Sequence, residues 1–148
     1  MVFIELYTNW CGWCRRMENF TFVDPVVAKY MNKNFQSIQF NAEDRRAITF
    51  NGKQYKFNPK VTRRGQHELA TALMRDSEKQ GYPTVIFLDE NYNLLQAIPG
   101  YITAKDFEAI MHYFGDGAYK TTKWEDFVLK YRIGEAQYSD VNKKSSGN

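Results

Sequence analysis

The 148-residue chain contains only two cysteines and two histidines. That count excludes a fold stapled by several disulfides. It also leaves few soft ligands for a metal, since His67 and His112 lie far apart in the sequence and from the cysteines. A structural zinc site normally needs about four such ligands, so zinc is the weaker reading. No apolar run approaches the roughly 20 residues of a membrane helix, and no basic-then-apolar leader opens the sequence. The net charge of +3 is too small to imply a nucleic-acid partner. There is no internal repeat.

Aromatic residues are abundant, with eleven Phe, ten Tyr and three Trp. At 43% hydrophobic and 25% charged residues the composition is that of a globular protein. The length suits one domain, residues 1–148, with its own core. "VFIELY" (2–7) is an apolar run suited to a buried strand. A helix is predicted to begin near Cys11 and carry "CRRMENF". A second follows in "DPVVAKYMNKNF", with Asp24 as N-cap and Pro25 at the first helical position. "FQSIQFNA" alternates like a strand, and "AITFNGKQYKF" predicts a hairpin turning at Asn51–Gly52. "HELATALMRDSEK" reads as a helix ended by Gly81. "PTVIFLD" and "NLLQAIPG" read as strands joined by the turn "ENYN". "TAKDFEAIMHYF" predicts a helix capped by Thr103, "TKWEDFVLKYR" a last short helix, and "SDVNKKSSGN" a frayed polar tail. This order predicts an α/β fold with a mixed central sheet and helices on both faces.

"NWCGWCRRMENF" holds both cysteines, three positions apart, just after a predicted buried strand and at the opening of a helix. A helix N-terminus offers free N–H groups and partial positive charge. A thiolate at Cys11 is stabilised there and becomes reactive near neutral pH. Cys14, one turn on and deeper, is within reach of a mixed disulfide formed at Cys11. That arrangement suits thiol–disulfide exchange. A purely structural disulfide across two residues closes too small a loop to constrain much of the unfolded chain.

Glu5 puts a carboxylate inside the apolar "FIEL". Burial is costly without a partner or a task. Desolvation raises a carboxyl pKa, which suits Glu5 to move a proton to or from Cys14. The plainer reading is a glutamate at a strand edge, facing solvent.

With these segments in hand, the chain resembles the thioredoxin-fold oxidoreductases. "VFIELYTNWCGWC" is similar to the family's strand and active site, with "WCGWC" where thioredoxin has Trp-Cys-Gly-Pro-Cys. "GYPTVIFLD" resembles its cis-proline strand, and "PGYITAKDFEAIMHYF" its closing glycine and final helix. "CGWCRRMENFTFVDPVVAKYMNKNF" is similar to the branch with tryptophan before the second cysteine. The resemblance covers residues 2–114; an insertion at about 47–65 and an extension at about 116–148 fall outside it. It implies a thioredoxin-like fold, with Cys11 as attacking and Cys14 as resolving cysteine. It further implies that Pro83 is the cis-proline facing the disulfide, with Tyr82 before it. Glu5 stands where the family has a buried aspartate, and Gln39 where it has that acid's lysine partner. Trp13 replaces the proline that tunes the redox potential. The family's first strand and helix have no counterpart, and Met1 runs straight into "VFIELY", which points to a missing N-terminal part.

The function these readings imply is a thiol–disulfide oxidoreductase acting on protein disulfides, leaning towards reduction. No cofactor is needed beyond the Cys11–Cys14 dithiol. Electrons come from a protein donor. Trp10 and Trp13 are expected to flank the sulfurs as an apolar landing surface for polypeptides, the plainer reading being ordinary exposed aromatics. The absence of any other thiol suits an oxidising, extracytoplasmic compartment. The alternative is a thioredoxin-like module that grips polypeptides without turnover, against which the intact cysteine pair argues. A topological argument also places the insertion on the active-site side, the plainer reading being a solvated hairpin over a sheet edge.

Overall fold

Val2–Tyr7 forms strand β1, and every residue from Val2 to Leu6 is buried. A strand apolar on both faces has to be covered on both and paired on both edges. The rest of the first unit does this. The computed structural model describes residues 1–145, and the chain divides into two units, residues 1–104 and 105–148.

After β1 come α1 (Gly12–Phe20), α2 (Pro25–Asn34) and β2 (Gln36–Asn41). Then follow the short strands β3 (Ile48–Phe50), β4 (Lys53–Tyr55), β5 (Phe57–Asn58) and β6 (Gln66–His67). Helix α3 (Glu68–Leu73) and strands β7 (Thr84–Leu88) and β8 (Leu94–Pro99) complete the unit. The main sheet has the order β2-β1-β7-β8. β2 runs parallel to β1, with Glu5 opposite Gln39. β7 runs antiparallel to β1, and β8 antiparallel to β7. The sheet is therefore mixed, as the alternation of elements predicts.

Val2, Ile4 and Leu6 join Ile86, Leu88 and the α3 residues Leu69, Ala70 and Leu73 in one core cluster. Phe3 points the other way. Its ring meets Phe22 at 5.7 Å and Phe87 at 5.4 Å, and Phe35 meets Phe87 at 5.8 Å. Each such side chain contributes roughly 1.5–3 kcal/mol by leaving water.

Local signals hold where they are strongest. Asp24 accepts hydrogen bonds from the N–H groups of Val26 and Val27 at 3.0 and 3.2 Å, starting α2. The hairpin turns at Asn51 (φ 48°) and Gly52 (φ 77°), the two left-handed positions of a tight reversal. The insertion also carries a pairing with no prior signal, the two-residue β5–β6 ladder. It closes at Gly65 (φ 80°), where an added Cβ would lie 2.2 Å from the Phe57 ring.

Two helix lengths differ from expectation. The segment predicted as helix over 67–79 is helical only from Glu68 to Leu73. Beyond it, Ser77 N–H bonds to Met74 O and Ser77 Oγ to Lys79 O, local bonds that replace the helical ladder. The last helix, predicted short, is α5 (Trp124–Ser145), 22 residues long. Polarity suggested fraying, but no proline interrupts residues 124–145, and Glu135, Ala136, Gln137, Lys143 and Lys144 are good helix formers. Of the predicted tail, residues 146–148 lie outside the described residues.

The second unit holds most of α4 (Ala104–Gly115), a single 3₁₀ turn (Ala118–Lys120) and α5. Tyr113 meets Trp124 at 5.2 Å and Phe127 at 5.1 Å, and its hydroxyl donates to Thr122 O at 2.8 Å. Among the described residues, no helix is long and apolar enough to cross a membrane.

Candidate active site

The chain leaves β1 through Thr8, Asn9 and Trp10 and turns back at once, with Cys11 N–H donating to Thr8 O at 3.2 Å. Cys11 keeps extended backbone and is the N-cap of α1. Its sulfur accepts the Cys14 N–H at 3.1 Å, the task a serine or aspartate oxygen does at most helix starts. Cys11 and Cys14 are joined in a disulfide, with Cα atoms 5.3 Å apart. When that bond opens, a negative Cys11 sulfur retains the helix N–H groups and their positive potential. Cys11 is 5% exposed and Cys14 1%, so the outer and inner cysteines rank as expected, by a narrow margin in the closed pair.

Glu5 is buried, not at a solvent-facing edge; it is 1% exposed. Gln39, its cross-strand neighbour, donates Nε2–H to Glu5 Oε2 at 3.0 Å and to Glu18 Oε1 at 3.3 Å. Glu18 lies one turn beyond Cys14 on α1, so this amide ties Glu5 to the α1 face that carries Cys14. Burial pushes the Glu5 carboxyl up to about 7; the Gln39 hydrogen bond opposes this, and the nearby Glu18 charge adds to it. Glu5 Oε1 is buried and has no hydrogen-bond partner among the described residues.

Trp10 and Trp13 are 51% and 59% exposed. Trp10 meets Tyr82 edge to face at 6.1 Å, so the residues preceding Cys11 and Pro83 are in contact. The Tyr82–Pro83 peptide is cis, and Pro83 O accepts Gly100 N–H at 2.8 Å. The Tyr82 hydroxyl donates to Gln66 Oε1 at 2.5 Å. Burial, and then the Glu43 charge, push that phenol up to about 12, so it stays neutral. On the other side, Trp13 packs against Tyr101 at 5.4 Å. Thr21 Oγ1 donates to Ile102 O at 2.6 Å, which holds the Tyr101 segment against the end of α1.

The insertion reaches this site. Trp10 Nε1–H donates to Glu43 Oε1 at 2.7 Å. Arg64 donates through Nε to the same carboxylate at 3.1 and 3.4 Å, and its guanidinium lies 5.6 Å from the Trp10 ring centre. The placement of the insertion on the active-site side was legible, but the approach of Arg64 to Trp10 was not. Glu43, Glu18, Tyr101 and Arg16 carried no sequence signal of their own, because each acts through neighbours distant in the chain. Two neighbouring arginines are engaged elsewhere: Arg46 with Asp44 at 2.6 Å, Arg45 over Phe57 at 4.8 Å. His67, weighed as a metal ligand, accepts Leu69 N–H at Nδ1 (3.1 Å) and donates Nε2–H to Arg46 O (2.9 Å). Both its nitrogens serve the fold.

Residues 1–115 match the family model described as a thioredoxin-like domain. The chain belongs to that family. Among curated proteins, this thioredoxin-like chain is similar to the thiol:disulfide interchange protein DsbD of Haemophilus ducreyi. It is 30% identical over 110 residues, 73% of this chain and 15% of that protein. The DsbD of Pectobacterium atrosepticum is 25% identical over 115 residues, 76% of this chain and 16% of that protein. The chain spans about 15% of the length of the curated relatives it matches. Among solved structures it is similar to a thioredoxin-fold protein from Helicobacter pylori, with TM-score 0.61 and 18% identity over 95% of this chain and 84% of that one. A thioredoxin from Thermus thermophilus gives TM-score 0.50 and 17% identity over 76% and 72%. At these identities the structural likeness establishes the thioredoxin-like fold.

Proposed function

We propose that this thioredoxin-like domain is a protein thiol–disulfide oxidoreductase that works in the reducing direction, through Cys11 and Cys14. The observation that carries the reading is the Cys11 sulfur itself, which caps α1 while bonded to Cys14. The names of the similar proteins, thiol:disulfide interchange proteins, support the same class of reaction.

The cycle starts from the dithiol. The Cys11 thiolate attacks one sulfur of a substrate disulfide, forming a mixed disulfide and expelling a substrate thiolate, which takes a proton from water. Cys14 gives its proton to Glu5 and attacks the Cys11 sulfur. The Cys11–substrate bond breaks, the second substrate thiolate leaves and is protonated, and the Cys11–Cys14 disulfide remains. Two electrons have passed to the substrate. The structure holds this disulfide end state. A dithiol of another protein reverses it by the same exchange. Trp10, Trp13, Tyr82 and Pro83 form the surface on which the substrate polypeptide lies. The dithiol is the redox group of the cycle, and the absence of a stray thiol suits an extracytoplasmic setting, where a third cysteine would mispair.

Equilibration against a glutathione series tests the direction. A reductase of this fold is expected to fall below about −230 mV, near the thioredoxin end of the range. A value near −120 mV, that of the strong oxidants, would overturn the reducing assignment.

A further inference from the structure

Two arginines lie on aromatic rings beside the disulfide, and they differ in one respect. Arg64, over Trp10, is neutralised by Glu43. Arg16 lies 5.8 Å from the Trp13 ring centre, 5.4 Å from Phe20 and 5.8 Å from Tyr101. Among the described residues, no carboxylate forms an ion pair with it. Trp13, Arg16 and Phe20 are spaced three and four apart on α1 and share its outer face. Trp13 and Phe20 are 59% and 63% exposed. A guanidinium placed among three rings keeps its charge, and its planar N–H fork matches a carboxylate.

We infer that Arg16 is the receptor for an acidic side chain of the substrate polypeptide, whose apolar neighbours lie on Trp13, Phe20 and Tyr101. This rests on the oxidoreductase reading above and names its substrate class. The chain shows the geometry once already: at Trp10, one glutamate carboxylate accepts from both the indole and the stacked guanidinium. At Arg16 the arginine and the rings are in place, and the carboxylate comes from the partner. Register follows from helix geometry. Arg16 is five residues past Cys11, roughly 7–8 Å along the axis. An extended substrate covers that in two to three residues. The preferred polypeptide therefore carries Asp or Glu two to three residues from the cysteine under attack. Arg15 does not compete, since its guanidinium donates to Asn9 O at 2.9 Å.

The test uses three peptide disulfides that differ only in Glu, Gln or Lys two and three residues from the attacked cysteine. Each is measured as a substrate with a dithiol donor. Each is also measured, with serine in place of cysteine, as a ligand read by tryptophan fluorescence. Wild type is expected to show a KM and a Kd at least about fivefold lower for the Glu peptide, with similar kcat, and the difference should shrink with added salt. Arg16→Gln should remove the preference, Arg16→Lys should keep part of it, and Arg16→Glu should shift it to a Lys peptide. Equal or undetectable binding of the Glu and Gln peptides by wild type overturns the inference, as does a preference that survives in Arg16→Gln. If the Glu peptide binds preferentially but none of the peptides is reduced, the docking site stands and the oxidoreductase reading fails.

Discussion

Glu5 gives the sharpest test at the scale of one residue. Its ordinary value is 4.5 and burial raises it to about 7. Between those values the folded protein holds a proton that the unfolded chain releases. This contribution to stability is complete below pH 4.5 and is lost as pH rises through about 7. The displacement corresponds to about 3 kcal/mol at most. The disulfide form of wild type should therefore lose stability relative to Glu5→Gln between pH 5 and pH 8, as read from urea midpoints. The same variant should turn over more slowly near neutrality and lose the limb of the pH–rate profile set by this carboxyl. Parallel stability curves and an unchanged profile would show that Glu5 moves no proton. Its burial was legible because a carboxylate in "FIEL" has no polar neighbours in sequence. The Glu18 influence was not, since it depends on α1 folding back over β2 to share the Gln39 amide.

At the scale of elements, the insertion is the part whose placement bears most directly on the site. β1 and β2 run parallel, so the insertion leaves the sheet at the same end from which the Cys11 turn departs. Ligands of open α/β sheets gather at that end. Arg64 over Trp10 shows that it contributes to the wall beside the disulfide instead of only shielding an edge. Arg64→Ala, or replacement of residues 47–65 by a short Gly-Ser turn, should raise KM for a protein disulfide by more than for a small aromatic disulfide. Loss of about 1–2 kcal/mol of ordered contact at Trp10 corresponds to roughly five- to thirtyfold. Equal changes for both substrates would return the insertion to a structural role. The strands, the Asp24 cap and the Asn51–Gly52 reversal were legible because each is encoded within a few residues. The two-residue β5–β6 ladder was not, because its partners lie 8 to 10 positions apart and depend on the Gly65 turn beneath Phe57. Helix ends were misjudged where local hydrogen bonds around Ser77 cut a helix short, or where no proline stopped one past Arg132.

At the scale of the whole molecule, the thioredoxin-like match ends at residue 115 and the extension from 116 lies beyond it. With only two cysteines, the redox state of the chain is that of one site. This makes the central claim directly measurable. Cys14→Ser, incubated with oxidised insulin, should form one mixed disulfide, mapped by mass to Cys11 and released by dithiothreitol, while wild type turns over and Cys11→Ser forms none. The absence of any adduct on Cys14→Ser, or an adduct that maps to Cys14 in Cys11→Ser at a comparable rate, would contradict the account.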